Sequence, residues 1–473
     1  MIWDEHTASN GANVSNLFAS FFKSIYSEPA APAVYNMESI SYDVNISEFE
    51  VRFDDVYRQL TLLNINKGAG PDRIPNIFLR NCAIGLCEPI THIFSKSVET
   101  GHFPTMWKLS YINPIHKSGE RAHVNNYRPI CIQSSLAKLL EKIVLPQITF
   151  PFKHIITSRQ HGFFGGRSTS TNLYLYINYI LNALNHGQDV HSTKLKSEFL
   201  LYADDMKLFR AVGGNHDIDI IERDILEIEN WCTTNKLHLN IQICAVMCFS
   251  RRLNKVSANY SLRGQTVKIV NSIKDLGVYV DDRLSFSEHI NHISARAYRA
   301  LGFICRSGKE FRNHRTLLRL FSTFVQPILE YCSIVWAPFT ELQINNVEKV
   351  QRKFCKFLLY HSQDGSCVNT SDIYNRYNIK TLYSRRQIAD LSFFYKVVNG
   401  LIDSPEILEQ FRFIGSRADL RSRRLLDVTQ SNRNYIAYGP YNRIASLVNR
   451  HAPSVNFFGG SHAGLIRVLK SVL

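Results

Sequence analysis

Apolar and polar positions divide this chain into a front part of mixed elements and a rear part that is mostly helical. Apolar spacing predicts short helices over Val14–Ile25 and Ile46–Leu63, with a loop-like patch around Pro29, Ala30, Ala31 and Pro32 between them. The run Asn66-Lys67-Gly68-Ala69-Gly70-Pro71-Asp72 is a turn cluster, followed by a helical stretch to about Gly101. Strands broken by a polar loop are predicted over 102–135, and helices over 136–148 and 169–186. The segment Phe199–Phe209 runs apolar, polar, apolar, the pattern of a tight hairpin. Residues 216–232 put Ile221, Ile225, Ile228 and Cys232 on one helical face, and short strands follow to about Val280. From Phe286 onward, Ile290, Ile293, Leu301 and Ile304 share one face, and Leu317, Phe321, Phe324 and Ile328 share another. The fold class expected is α/β with α+β character, and the chain shows neither an internal repeat nor a low-complexity tract.

The hairpin carries the candidate chemistry. Its predicted tip, Tyr202-Ala203-Asp204-Asp205, holds two adjacent carboxylates between apolar arms. Two acids side by side repel each other unless a cation neutralises them. Mg²⁺ prefers one or two carboxylates plus phosphate oxygens, so a rigid acidic tip suits two-metal phosphoryl or nucleotidyl transfer. An Asp-Asp pair in a turn is common on its own, because Asp tolerates turn geometry. The apolar arms and the flanking motifs set this one apart.

Composition narrows the class. The chain has 473 residues, 45% of them apolar and 20% charged, which excludes a mainly disordered chain and suggests two to four domains. The net charge is +15, unevenly spread. Residues 1–60 hold three bases against nine acids, whereas 286–473 hold 26 bases against 13 acids. A basic rear part points to a polyanionic partner, nucleic acid before an acidic membrane. One stretch concentrates this charge. Over 343–359, Val347, Val350, Phe354 and Phe357 form an apolar stripe, and Lys349, Arg352, Lys353 and Lys356 form a basic one on the opposed face. Such a helix can track a phosphate backbone, or it can be a solvated face beside acids such as Glu348. No run reaches the length of a membrane span, and the acidic start lacks a signal-peptide core. The ten cysteines lack C-x-x-C spacing, so reduced thiols in an intracellular protein, nuclear or cytoplasmic, are expected.

Tyr202-Ala203-Asp204-Asp205 resembles the active-site hairpin of reverse transcriptases, and its neighbours resemble those of the jockey-like, LINE-type (non-LTR) retrotransposons. The matching strings, in chain order, begin with Lys67-Gly68-Ala69-Gly70-Pro71-Asp72, Gly101-His102-Phe103-Pro104 with Trp107-Lys108, and Pro114-Ile115-His116-Lys117. Asn126-Tyr127-Arg128-Pro129-Ile130, Gln160-His161-Gly162-Phe163 and Gly166-Arg167-Ser168-Thr169 follow. Beyond the hairpin come Trp231-Cys232 with Asn235-Lys236-Leu237, and Asp275-Leu276-Gly277-Val278. The resemblance implies a right-hand polymerase. Residues 1–60 would be an acidic extension, 61–186 the fingers-like part, 187–285 a palm, and 286–473 a basic helical thumb and C-terminal region. It implies that Asp204 and Asp205 are catalytic and hold Mg²⁺, that Lys117 and Arg128 grip an incoming deoxynucleoside triphosphate, and that Gly162, Phe163 and Arg167 shape the template path. RNA and DNA would be the partners, with no membrane association.

The chain also departs from the family. The palm needs a third carboxylate on a strand before the hairpin, in a string of the form Asp-Phe-Ser-Lys-Ala-Phe-Asp, and a later Pro-Gln-Gly motif. No proline occurs between Pro151 and Pro327, and only eleven residues separate Val190 from Tyr202. Asp189 falls ahead of the family's catalytic acid, and nothing in the spacing of Glu198 recommends it as a ligand. Ile243 stands where the family usually has a Lys that protonates the leaving pyrophosphate. The 60-residue start has no room for the family's endonuclease domain. The expectation is a family member with an internally deleted palm, inactive as a polymerase, or else a non-catalytic nucleic-acid-binding remnant. The deletion should leave Phe199, Leu201 and Phe209 exposed and make residues 187–215 the least protected part of the fold.

Overall fold

The computed structural model describes the chain except for residues 27–48, 154, 192–196, 253–257, 312, 362–369 and 415–423. It divides into two compact units, Met1–Thr157 and Ser158–Leu473.

In the first unit a hairpin, β1 (Ile2–Trp3) and β2 (His6–Thr7), leads into α1 (Gly11–Ile25). Four helices follow: α2 (Phe53–Thr61), α3 (Asn76–Asn81), α4 (Ala83–Thr100) and α5 (Thr105–Lys108). An antiparallel ribbon, β3 (Ser110–His116) with β4 (Tyr127–Gln133), then runs into α6 (Ser135–Phe152). Helix α4 stops at Gly101, whose φ of 65° is the left-handed conformation that glycine adopts without penalty. Val56, Leu60, Leu79, Phe94, Trp107 and Leu139 form the core of this unit. A smaller cluster sets Leu17, Phe18 and Phe22 of α1 against Val124 in the loop between β3 and β4.

The second helix starts later than its apolar pattern predicts, at Phe53; Ile46–Glu48 lie outside the described residues. Its start is delayed because the Glu50 backbone is claimed elsewhere. The Gln147 side chain donates to the Glu50 carbonyl at 2.8 Å and accepts from its N–H at 3.0 Å.

The second unit opens with α7 (Thr169–Asn185), whose N-terminus is closed by a reciprocal Ser168–Thr171 cap. Three strands follow: β5 (Asp189–His191), β6 (Glu198–Tyr202) and β7 (Asp205–Val212). Beyond α8 (Asn215–Thr234) come β8 (Ala245–Val246), β9 (Cys248–Phe249), β10 (Ser261–Leu262), β11 (Gln265–Thr266) and β12 (Lys268–Ile269). A last hairpin, β13 (Ser272–Asp275) and β14 (Val278–Asp281), precedes the helices. These begin with α9 (Ser287–Ser307), α10 (His314–Phe324), α11 (Gln326–Glu330), α12 (Ser333–Trp336) and α13 (Glu341–His361). They continue with α14 (Thr370–Arg376), α15 (Leu382–Val398), α16 (Pro405–Gln410), α17 (Asn434–Ala437), α18 (Pro440–His451) and α19 (His462–Val472).

The sheet that carries the hairpin is four-stranded and antiparallel, in the order β6-β7-β5-β9. Alternation along the strands gives each arm two faces. Leu200, Lys207 and Phe209 face α7, where Tyr176 and Tyr179 meet the Phe209 ring edge-on at 5.1 and 4.8 Å. Phe199 and Leu208 face α8, packing with Ile228 and Cys232. The expected exposure of the arms is therefore overturned: Leu200 is 0% and Phe209 2% exposed, and Phe199 and Leu201 are half-buried. The apolar faces of the hairpin arms are thus covered, because the three-residue β5 gives β7 its second neighbour and α7 and α8 pack on the two faces, while β6 remains the edge strand.

The helix face predicted over Leu317–Ile328 is also divided. The chain breaks at Val325 between α10 and α11, ahead of Pro327, which cannot continue a helical ladder. Leu317 and Phe321 are buried, whereas Phe324 points outward, 57% exposed. Among the described residues no helix is long and apolar enough to cross a membrane.

Candidate functional site

The acidic tip is a two-residue turn. Tyr202 pairs with Asp205, and Ala203 takes a φ of 56°, a conformation uncommon for a residue with a side chain. Asp204 and Asp205 are both exposed. The turn is held from outside the hairpin by the segment Arg159–Gly162. Leu201 donates its N–H to the Arg159 carbonyl at 3.0 Å and accepts from the His161 N–H at 2.9 Å. The Gln160 side-chain oxygen accepts from the N–H of Ala203 at 3.1 Å and from that of Gly162 at 2.8 Å. Gly162 lies so close that an added Cβ would sit 2.2 Å from the Ala203 nitrogen.

Behind the tip lies a buried ammonium. The position of Lys207 on the arm turns it inward beside Phe209. There its Nζ donates to Asp275 Oδ2 at 2.8 Å and Asn172 Oδ1 at 2.5 Å, over the Tyr176 ring at 5.4 Å. Burial lowers its pKa, against the attraction of Asp275 and Asp205, which raise it. Asp275 sits at the two-residue turn of the next hairpin, where Leu276 and Gly277 have φ of 44° and 89°. Tyr331 clamps that turn by donating to the Leu276 carbonyl at 2.9 Å. The period-2 spacing of Lys207 from Phe209 is the sequence signal that would have revealed this inward lysine.

Among the described residues no third acid reaches the tip. Asp189 pairs with Val212 and is seven residues along β7 from Asp205, about 23 Å at ~3.3 Å per residue. Glu198 pairs with Phe209, about 13 Å from the tip on the same rise, and is ion-paired with Arg159 at 2.7 Å. Asp275 is committed to Lys207. Residues 192–196, Ser-Thr-Lys-Leu-Lys, contain no carboxylate. Among the described residues no group of three His, Cys, Asp or Glu side chains is arranged to hold a metal ion. Asp204 and Asp205 could each offer oxygens to Mg²⁺, but the residues present do not complete a two-metal clamp. Ile243 is 73% exposed.

The other candidate residues are placed as follows. Phe163 follows Gly162 at φ 60° with its ring fully exposed. Arg167 is committed to backbone, donating to the carbonyls of Asp403 and Ser158, each at 2.6 Å, and of Gln160 at 2.9 Å. Lys117 and Arg128 belong to the first unit. Ile115 pairs with Arg128 and the Lys117 N–H bonds the Asn126 carbonyl, so the two cations are exposed diagonal neighbours on one face of the ribbon.

On α13 the four cations Lys349, Arg352, Lys353 and Lys356 are exposed, over a buried row of Val347, Val350 and Phe354. Lys353 stands over the Tyr298 ring of α9 at 5.4 Å. The α9 surface adds Arg296, Arg299 and Arg306, all exposed. Burial pushes the Cys305 thiol up, while Lys353 and Arg306 pull it down, so the two helices bring their cations together around that sulfur. Only the α13 stripe was singled out in the sequence; the i, i+7 spacing of Arg299 and Arg306 is the signal for the rest.

No family model matches the chain. It is 19% identical over 397 residues to the "Probable RNA-directed DNA polymerase from transposon BS" of Drosophila melanogaster, covering 64% of this chain and 44% of that protein. It is 20% identical over 411 residues to the "Probable RNA-directed DNA polymerase from transposon X-element" of the same fly, covering 68% and 45%. Over 141 residues it is 27% identical to the "RNA-directed DNA polymerase from mobile element jockey", 29% of this chain and 15% of that protein. The chain thus spans less than half the length of these curated relatives. Together with the hairpin, these similarities make the chain a distant homologue of the RNA-directed DNA polymerases of non-LTR transposons.

Proposed function

We propose that this chain is a reverse-transcriptase-like protein that binds nucleic acid and does not polymerise. The hairpin tip carries the reading. Two-metal transfer needs both the attacking and the leaving oxygen clamped, and an acidic pair that no third carboxylate joins among the described residues is a poor clamp. Ile243 removes the proton donor as well. Primer extension on an RNA template is therefore expected to be undetectable with Mg²⁺ or Mn²⁺. Robust deoxynucleotide incorporation that disappears in Asp204→Ala would overturn this.

Nucleic acid is the partner because the second unit holds 41 Lys and Arg against 26 Asp and Glu, and the exposed faces of α9 and α13 gather seven of those cations. The Lys117–Arg128 diagonal remains suited to gripping a triphosphate. RNA and DNA are expected to bind weakly, without sequence preference, and with a steep salt dependence. Changing Lys349, Arg352, Lys353 and Lys356 together to Ala should weaken binding and flatten the log–log salt slope by about one unit per lost phosphate contact. An unaltered affinity and slope would reduce the stripe to a solvated face.

A further inference from the structure

At the far end of β6 from the acidic tip the second unit holds a cleft of about 460 Å³, a size typical of ligand sites. One wall is α7, which lines it from Leu175 to Asn185, about 15 Å of helix. Three asparagines, Asn178, Asn182 and Asn185, stand at i, i+4 and i+7 on that wall. Asparagine is a poor helix former, so three on one face call for a role other than holding the helix. Asn178 has one: it donates to Gln410 at 3.1 Å across the cleft. The side-chain amides of Asn182 and Asn185 have no hydrogen-bond partner among the described residues.

The charge of the cleft is opposite to that of its surroundings. In a unit of 41 cations against 26 anions, the lining has three glutamates and two arginines. Arg159 is used by Glu198, and Arg412 lies beside Tyr441. Of the two acids on α16, Glu406 accepts from the Ser404 hydroxyl, whereas Glu409 is exposed. The floor is apolar, with Leu181, Phe209 and Ile436. A polyanion would meet attraction over the rest of this unit and repulsion here. A cation would meet the reverse.

We propose that this cleft binds an extended peptide segment of a protein partner, one bearing lysine or arginine. An amide side chain presents a donor and an acceptor together, the complement of a backbone peptide group. Fifteen ångströms accommodates about four or five extended residues. The aliphatic stem of a basic side chain lies along the apolar floor while its charge reaches Glu409. The interaction is distinct from the nucleic-acid face on α9 and α13 and does not depend on it.

The test uses the full chain and fluorescence anisotropy with a labelled hexapeptide of alternating lysine and valine, beside its glutamate–valine counterpart. The lysine peptide is expected to bind at least tenfold more tightly than the glutamate peptide. Asn182→Leu with Asn185→Leu should weaken it at least tenfold, and Glu409→Lys, a single exposed change, should do so independently. Unchanged circular dichroism and melting would show that both variants are folded. The alanine change of the α13 stripe should leave peptide binding intact. No binding of the lysine peptide at millimolar concentration, equal binding of both peptides, or unchanged affinity in the folded variants would overturn the proposal. So would displacement of the peptide by oligo-dT together with an equal weakening of oligo-dT binding in the asparagine variant, which would assign the cleft to nucleic acid.

Discussion

Gly162→Ala should unseat the acidic hairpin. The new methyl would lie 2.2 Å from the Ala203 nitrogen and 2.9 Å from both its Cα and the Tyr202 carbonyl carbon, all backbone atoms with no side-chain freedom to yield. Relief requires separating the segment 159–162 from β6, which breaks the Leu201–Arg159 and His161–Leu201 bonds and the Gln160 clamp on Ala203. Overpacking and two or three lost hydrogen bonds together cost about 3 kcal/mol or more. Hydrogen exchange reads the effect directly. In the native chain the amides of Leu200, Leu201 and Phe209 should exchange as slowly as those of α10, and in the variant they should be released while α10 stays protected. Gly165→Ala is the matched control, since nothing lies within 4 Å of its added Cβ. If the Gly162 variant exchanged and unfolded like wild type, the segment would not be the seat of the turn.

Acid should destabilise the second unit well before its carboxylates titrate. Burial pushes His161 down to about 4, helped by the nearby Arg167, and burial likewise pushes His289 down to about 4, with His292 adding to the effect. Both rings are nearly inaccessible, and each has a buried Nε2 without a hydrogen-bond partner among the described residues. The folded state therefore favours the neutral ring, whereas the unfolded chain takes up a proton near 6.5. Stability is complete above pH 6.5, falls as the pH drops from 6.5 towards 4, and levels off below that for these two groups. Each contributes of order 3 kcal/mol across that window, a large share of the stability of a typical domain. Urea midpoints at pH 7.5 and 4.5 measure the loss. The double change His161→Gln with His289→Gln should remove most of the difference, and an equal pH dependence in that variant would assign the loss to other groups.

The elements legible in the sequence were those whose burial is one-sided. The α8 face of Ile221, Ile225, Ile228 and Cys232 and the α9 face of Ile290, Ile293, Leu301 and Ile304 are buried as their spacing requires. The hairpin was legible as well, with its turn at Ala203 and Asp204. What escaped was decided by partners distant in sequence. The cover over Phe209 comes from Tyr176 and Tyr179, and no local pattern announces that a three-residue strand at Asp189 suffices to pair β7. The late start of α2 depends on Gln147, 97 residues away from Glu50. Of the site itself, the two acids were readable from their setting, whereas Gln160 and the Lys207–Asp275 pair emerge only when the chain is folded. Gln160 and Asp275 stand in strings that the sequence offers, and the spacing of Lys207 from Phe209 signals its inward turn, but only the fold supplies the partner of each.

The guanidinium of Arg167 has a consequence for how the protein is made. It bonds the Asp403 carbonyl, 236 residues later, and Tyr174, one helical turn beyond Thr171, packs on Phe393 and Phe411. On a ribosome adding ~5–20 residues per second, α7 and the hairpin leave the exit tunnel roughly 10–50 s before the groups that cover them exist. For that interval Tyr174 and its apolar neighbours on the helix have no cover from the later helices, and folding of the second unit must wait until α15 and the segment after it are made. Nascent-chain yield should then depend on chaperone supply during synthesis more than on the stability of the finished fold, and chains cut short before α15 should be cleared even though their hairpin sequence is intact.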